Sequence, residues 1–275
     1  MIATPSIIPQ PHPFFNRKNA PAFGAEVVSS NIVGYQKINL VAGYNMVAAQ
    51  FALVGDGTLE RDISTIGTLD DSMAGYDDEW TYATEMRVWN PATKSYATYG
   101  WAGTSPETVD DMPELNNTWL DAATEQTDDT IDITSGVWIK AATAGTFTVA
   151  GEVPSDGTVV VDLVAGYNMI ANPFPAEVPV STFGTLDASM AGYDDEWTYA
   201  TEMRVWDPAT KSYATYGWAG TSPETVDDMP ELNNTWLDAA TEATDDTIPA
   251  GASVWIKAAT AGTITFTSPL ANQGN

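Results

Sequence analysis

One stretch of 65 residues occurs twice in this chain. Residues 67–131 recur as 184–248 at a constant spacing of 117, with three differences: Asp71 against Ala188, Asn90 against Asp207, and Gln126 against Ala243. The identity resumes in VWIKAATAGT at 137–146 and 254–263. LVAGYNM at 40–46 returns at 163–169, now 123 residues apart, so copy one carries six more residues between Phe51 and Gly67. The extra residues fall in GDGTLERDIS, a polar, turn-rich segment expected to form a longer surface loop, where insertion costs little. A repeat of this length constrains the fold, because each copy must complete its own core within about 115 residues.

The expected organisation follows. Residues 1–30 form a proline-rich N-terminal arm, 31–150 a first β-domain, 152–268 a second, and 269–275 a tail. The arm holds prolines 5, 9, 11, 13 and 21 and is expected to be extended, either disordered or pinned to a partner. The join GEVPSDG (151–157) is short, which limits independent movement of the copies.

Each unit reads as all-β. In EMRVW, Met86 and Val88 share one face and Arg87 and Trp89 the other. In VWIKA, Val137 and Ile139 oppose Trp138 and Lys140. TFTVAGEV and TITFTS alternate threonine with apolar residues, as half-buried strands do. Asn90-Pro91, replaced by Asp207-Pro208 in copy two, suits the first two positions of a turn and predicts a hairpin between EMRVW and SYATYGW. Helical signals are weak: Ser105 and Pro106 open SPETVDDM, and Pro113 stops it. The expected fold is two tandem β-sandwich or jelly-roll-like domains with at most short helical turns.

Charge and composition narrow the function classes. Ten Lys and Arg face 37 Asp and Glu, a net charge of −27, and the acids are spread over both copies. Such a chain offers no basic face for nucleic acid and is repelled by anionic membrane surfaces. It has no cysteine and one histidine, His12, in the arm. That excludes disulfide frameworks, thiolate metal sites and a thiol nucleophile, and leaves no nucleophile–base pair built on Cys or His inside either repeat. No run of 18 apolar residues suggests a membrane span. The first 25 residues lack the order of a secretory signal, since Arg17-Lys18 follow the apolar residues. AEVVSS (25–30) reads like a mature N-terminus.

Three segments occur in a suggestive order: VAGYNMIANPFP (164–175), MRVWDPATKSYATY (203–216) and IPAGASVWIKAATAGTITFTS (248–268). Together they resemble β-domains repeated within bacterial secreted and cell-surface proteins. Copy one departs from the pattern at Ala49-Gln50, where copy two has Asn172-Pro173. The resemblance implies a non-enzymatic anchoring, adhesion or matrix role at the cell surface or outside the cell.

Two sets of residues are candidate sites. The acidic loops supply Asp77, Asp78, Glu79, Asp110 and Asp111 in copy one and Asp194, Asp195, Glu196, Asp227 and Asp228 in copy two. Calcium takes such oxygen ligands from loops and is the one candidate cofactor, against the plainer reading of a solvated acidic surface. The aromatic residues Trp89, Tyr99, Trp101, Trp206, Tyr216 and Trp218 form a candidate binding surface for sugar rings or a neighbouring subunit, against core or inter-domain packing. Asn116-Asn117-Thr118 and 233–235 match the N-glycosylation pattern. The expected function is an extracellular structural protein, a building block of a surface layer, fibre or adhesive coat that self-associates. The alternative is a pair of carbohydrate-binding modules.

Overall fold

A computed structural model describes residues 32–55, 58–75, 82–104, 113–123, 125–154, 157–192, 199–221, 230–240 and 242–269. The fold is all-β and antiparallel throughout. Copy one contributes β1 (Ile32–Leu40), β2 (Gly43–Ala48), β3 (Glu60–Asp62), β4 (Thr68–Leu69), β5 (Glu85–Asn90), β6 (Ser95–Trp101), β7 (Trp119–Leu120), β8 (Thr130–Asp132), β9 (Gly136–Ala141) and β10 (Gly145–Val153). Copy two repeats them as β11 (Thr158–Leu163), β12 (Gly166–Ala171), β13 (Val178–Pro179), β14 (Thr185–Leu186), β15 (Glu202–Asp207), β16 (Ser212–Trp218), β17 (Trp236–Leu237), β18 (Thr247–Ile248), β19 (Ser253–Ala258) and β20 (Gly262–Thr267). The described helical content is four single 3₁₀ turns, including Pro113–Leu115 and Pro230–Leu232. The predicted helix at 105–112 lies outside the described residues.

In copy one, a five-stranded sheet runs β2-β9-β5-β6-β7 and a three-stranded sheet runs β1-β10-β4. Copy two repeats both orders as β12-β19-β15-β16-β17 and β11-β20-β14. The alternation read from the sequence sorts the faces. Met86, Val137 and Ile139 are fully buried, while Arg87 on the opposite face is partly exposed. The buried face meets the three-stranded sheet, where Trp119 lies edge-on to Phe147 with ring centroids 6.5 Å apart. Burial of these large side chains is the main stabilising term of each copy.

Side-chain amides fix the turns. Asn45 Oδ1 accepts from the Val41 N–H (2.9 Å), and its Nδ2 donates to the carbonyls of Val41 (2.9 Å), Gly43 (3.0 Å) and Ile139 (3.3 Å). Asn168 makes the same set with Val164, Gly166 and Ile256. The asparagine of GYNM thus locks the β1–β2 corner and ties it to β9. At the predicted hairpin, Asn90 Oδ1 accepts from the Ala92 and Thr93 N–H groups, and Lys94 takes a left-handed φ of 55°. Asp207 accepts from Ala209 N–H and from the Thr210 hydroxyl, so the Asn/Asp exchange keeps the turn.

The insertion of copy one is only partly a surface loop. Val54, Gly55, Thr58 and Glu60 are exposed, but Arg61 turns inward and is 6% exposed. Its guanidinium donates to the carbonyls of Phe51 (3.1 Å), Ala150 (2.8 Å) and Thr65 (2.9 Å). Burial holds its pKa below the usual arginine range. Strand registry places Val178 at the equivalent position, since Arg61 pairs Ile131 and Val178 pairs Ile248.

Both copies belong to one compact unit, Asn31–Asn275. They meet through reciprocal contacts that define a pseudo-twofold. Val47 bridges Ala252 and Ser135 bridges Ile170. The Ala48 N–H donates to the Gly251 carbonyl at 2.8 Å, and the equivalent Ala171 N–H donates to Thr134 at 2.7 Å. Gly136 and its counterpart Ser253 approach each other at this contact. A Cβ on Gly136 would lie 2.4 Å from the Ser253 Cβ and 2.8 Å from Met169 Cγ. There is room for one side chain of the pair, which accounts for the glycine.

Candidate functional site

The predicted acidic residues Asp77, Asp78, Glu79, Asp110, Asp111, Asp194, Asp195, Glu196, Asp227 and Asp228 all lie outside the described residues. Among the described residues no group of three or more His, Cys, Asp or Glu is placed to hold a metal ion. Many of the described acids serve local turns. Asp121 Oδ1 accepts from the Ala123 and Glu125 N–H groups, and Asp70 and Asp187 each accept from a serine N–H two residues on. Asp129 and Asp246 accept from the hydroxyls of Tyr99 and Tyr216, both at 2.7 Å.

The six predicted aromatic residues divide between two places. Tyr99 (4% exposed), Trp101 (1%), Tyr216 (5%) and Trp218 (1%) lie in the core. Hairpin register is the reason. Met86 pairs with Tyr99 and Trp89 with Tyr96, so Tyr99 and Trp101 share the inward face of Met86 rather than the face of Trp89. These four present no surface to a ligand. Burial first, then the Asp129 hydrogen bond, pushes the Tyr99 phenol well above its usual range, and Asp246 acts likewise on Tyr216.

Trp89 and Trp206 occupy the opposite face, against the other copy. The Trp89 indole N–H donates to the Tyr167 carbonyl at 2.8 Å, and Trp206 donates to Tyr44 at 2.9 Å. Trp89 stands edge-on to Trp255 and Trp206 edge-on to Trp138, both at 5.5 Å. Met46 and Met169 fill the space between these rings.

Around that junction the two copies build a pair of aromatic slots. One, of about 260 Å³, is walled by Trp89 and Tyr96 of copy one with Tyr167, Arg204, Tyr213 and Trp255 of copy two. The other, of about 280 Å³, is walled by Tyr44, Arg87, Tyr96 and Trp138 of copy one with Trp206 and Tyr213 of copy two. Tyr96 and Tyr213 belong to both slots. Neither copy forms a slot alone. Sequence comparison with models of known protein families and with curated proteins gives no match.

Tyr44, Tyr96, Tyr167 and Tyr213 are each 40–42% exposed. Arg87 lies over the Tyr44 ring and Arg204 over the Tyr167 ring, both 5.6 Å from the centroid. Arg87 also pairs Glu85 at 2.8 Å, with Lys140 3.7 Å from the same carboxylate, and Arg204, Glu202 and Lys257 repeat this. The glutamate hydrogen bond raises each guanidinium pKa further. Partial burial raises the Tyr96 and Tyr213 phenols. The four tyrosines, the two arginines and the pair Trp138–Trp255 were not among the expected site residues. The period-two pattern of EMRVW and VWIKA carries Arg87, Arg204, Trp138 and Trp255, whereas the faces of Tyr96 and Tyr213 follow from the hairpin register and those of Tyr44 and Tyr167 from the fold.

Proposed function

We propose that this protein is a non-enzymatic extracellular structural protein, a building block of a surface layer, fibre or adhesive coat. The observation that carries this reading is a pair of long open sheet edges, one from each copy. Strands β1 and β11 each end a three-stranded sheet, with no described strand on their outer side. Their outward faces show Val33 (59% exposed), Tyr35 (77%) and Val160 (59%) interleaved with exposed Lys37, Asn39, Thr158 and Asp162. Exposed apolar edges are where a further strand adds. A block with pseudo-twofold symmetry carries related edges twice, so each molecule can meet two neighbours. The proline-rich arm is a candidate strand or tether for the next subunit, and calcium a candidate bridge between acidic surfaces. Sedimentation velocity and electron microscopy of the purified chain, with calcium and with chelator, test the reading. Concentration-dependent assemblies are expected; a monomer under every condition overturns it.

The aromatic slots favour a second reading, binding of carbohydrate at the cell surface. Half-exposed tyrosines offer ring faces and hydroxyls together, as sugar rings require.

A further inference from the structure

We infer that the twin slots bind one neutral polysaccharide, with a pyranose ring in each slot. This rests on the carbohydrate reading above and is independent of assembly.

Three observations carry it. The first is what the slots leave free. The indole N–H groups of Trp89 and Trp206 are already bound to carbonyls of the other copy. The surface that remains is ring faces edged by tyrosine hydroxyls. A pyranose presents the complement, an apolar C–H face ringed by hydroxyl groups. The second is charge. Each slot's one ionic group, Arg87 or Arg204, already pairs a glutamate, and Lys140 and Lys257 line neither slot. No unpaired ion awaits a charged ligand, and a chain of net charge −27 repels anionic polymers. The third is repetition. The slots share Tyr96 and Tyr213 as a common wall, so a polymer with a repeated ring can fill both and gain the avidity of two contacts.

The test titrates the full chain with cellohexaose, xylohexaose, mannohexaose and laminarihexaose, reading intrinsic tryptophan fluorescence, with sedimentation velocity on the same samples. At least one hexasaccharide is expected to give a saturable change. In the double variant Tyr96→Ala, Tyr213→Ala that binding is expected to weaken by about tenfold or more, since two stacking faces are lost. Tyr35→Ala, on β1, is expected to bind as the parent does. If the double variant does not fold, Tyr44→Ala with Tyr167→Ala removes the other exposed rings and carries the same expectation. The inference is overturned by three results: no response to any of the four sugars, undiminished binding in a folded double variant, or preferential binding of a peptide spanning residues 5–13. Loss of assembly in the double variant without sugar binding by the parent also overturns it, by making the slots a subunit contact. That last outcome leaves the structural reading standing.

Discussion

The indole N–H of Trp89 reaches across the duplication to the backbone carbonyl of Tyr167, 2.8 Å away. Its counterpart Trp206 returns the bond to Tyr44. Each tryptophan buries a ring edge in the other copy and satisfies its one polar atom there. Trp89→Phe is expected to lower stability by about 1 kcal/mol, the net worth of one hydrogen bond, and Trp89→Ala by about 3 kcal/mol. Urea denaturation measures both. An unchanged midpoint in Trp89→Ala shows that this contact does not hold the copies together.

Gly136 and Ser253 make an asymmetric prediction from a symmetric position. Gly136→Ser puts a side chain where Ser253 and Met169 already stand, and is expected to cost about 1–3 kcal/mol as overpacking. The same change made together with Ser253→Gly is expected to recover most of that loss. Thermal melts of the two variants decide it, and equal melting temperatures refute the steric account.

Arg61 is a buried cation held by three carbonyls, at the position where copy two has Val178. Arg61→Val is therefore expected to destabilise the chain by about 2–4 kcal/mol, because it leaves those carbonyls without a donor. Denaturant titration with an unchanged midpoint counts against this role.

Alkali acts on Tyr99 and Tyr216. Their phenol pKa values are raised in the folded protein by burial and by the neighbouring carboxylates. Their stabilising contribution is thus complete below about pH 10, the unfolded value, and is lost as pH rises through the higher folded values. Ultraviolet absorbance is expected to show a late tyrosine ionisation that coincides with unfolding. In the double variant Tyr99→Phe, Tyr216→Phe this late phase is expected to lose the amplitude of two tyrosines.

Acid acts on the second hairpin but not the first. The Asp207 pKa is lowered by its hydrogen bonds from the Thr210 hydroxyl and the Ala209 N–H. Its contribution is present above about pH 4 and is lost as pH falls through the lower folded value. Asn90 holds the equivalent turn and does not titrate. Asp207→Asn is expected to fold normally and to narrow the gap between urea midpoints at pH 3 and pH 7. A gap equal to that of the parent contradicts the prediction.

The faces of β5 and β9 were legible in the sequence because alternation depends only on neighbours along a strand. The Asn90-Pro91 turn was legible for the same reason. The side taken by Tyr99 and Trp101 was not, because it depends on how many residues the turn consumes, which decides the register across the hairpin. The packing of Trp89 on Tyr167 joins residues 78 positions apart, and no local pattern reports it. Arg61 sat inside a polar insertion, where a charged residue is ordinarily solvent-facing. Asn45 was visible as part of a recurring motif, but its task of closing a corner with four hydrogen bonds needed the fold.

The pseudo-twofold junction is a homodimer interface written into a single chain. The face that copy one offers to copy two is nearly the face that copy two offers back. The first copy of one molecule and the second copy of another therefore hold the same complementary faces. The short connection through 151–157 keeps the two halves at high effective concentration and favours closure within one chain. Shortening it until it no longer spans the junction leaves the contact itself unchanged, yet is expected to shift the balance from closed single chains toward exchanged pairs.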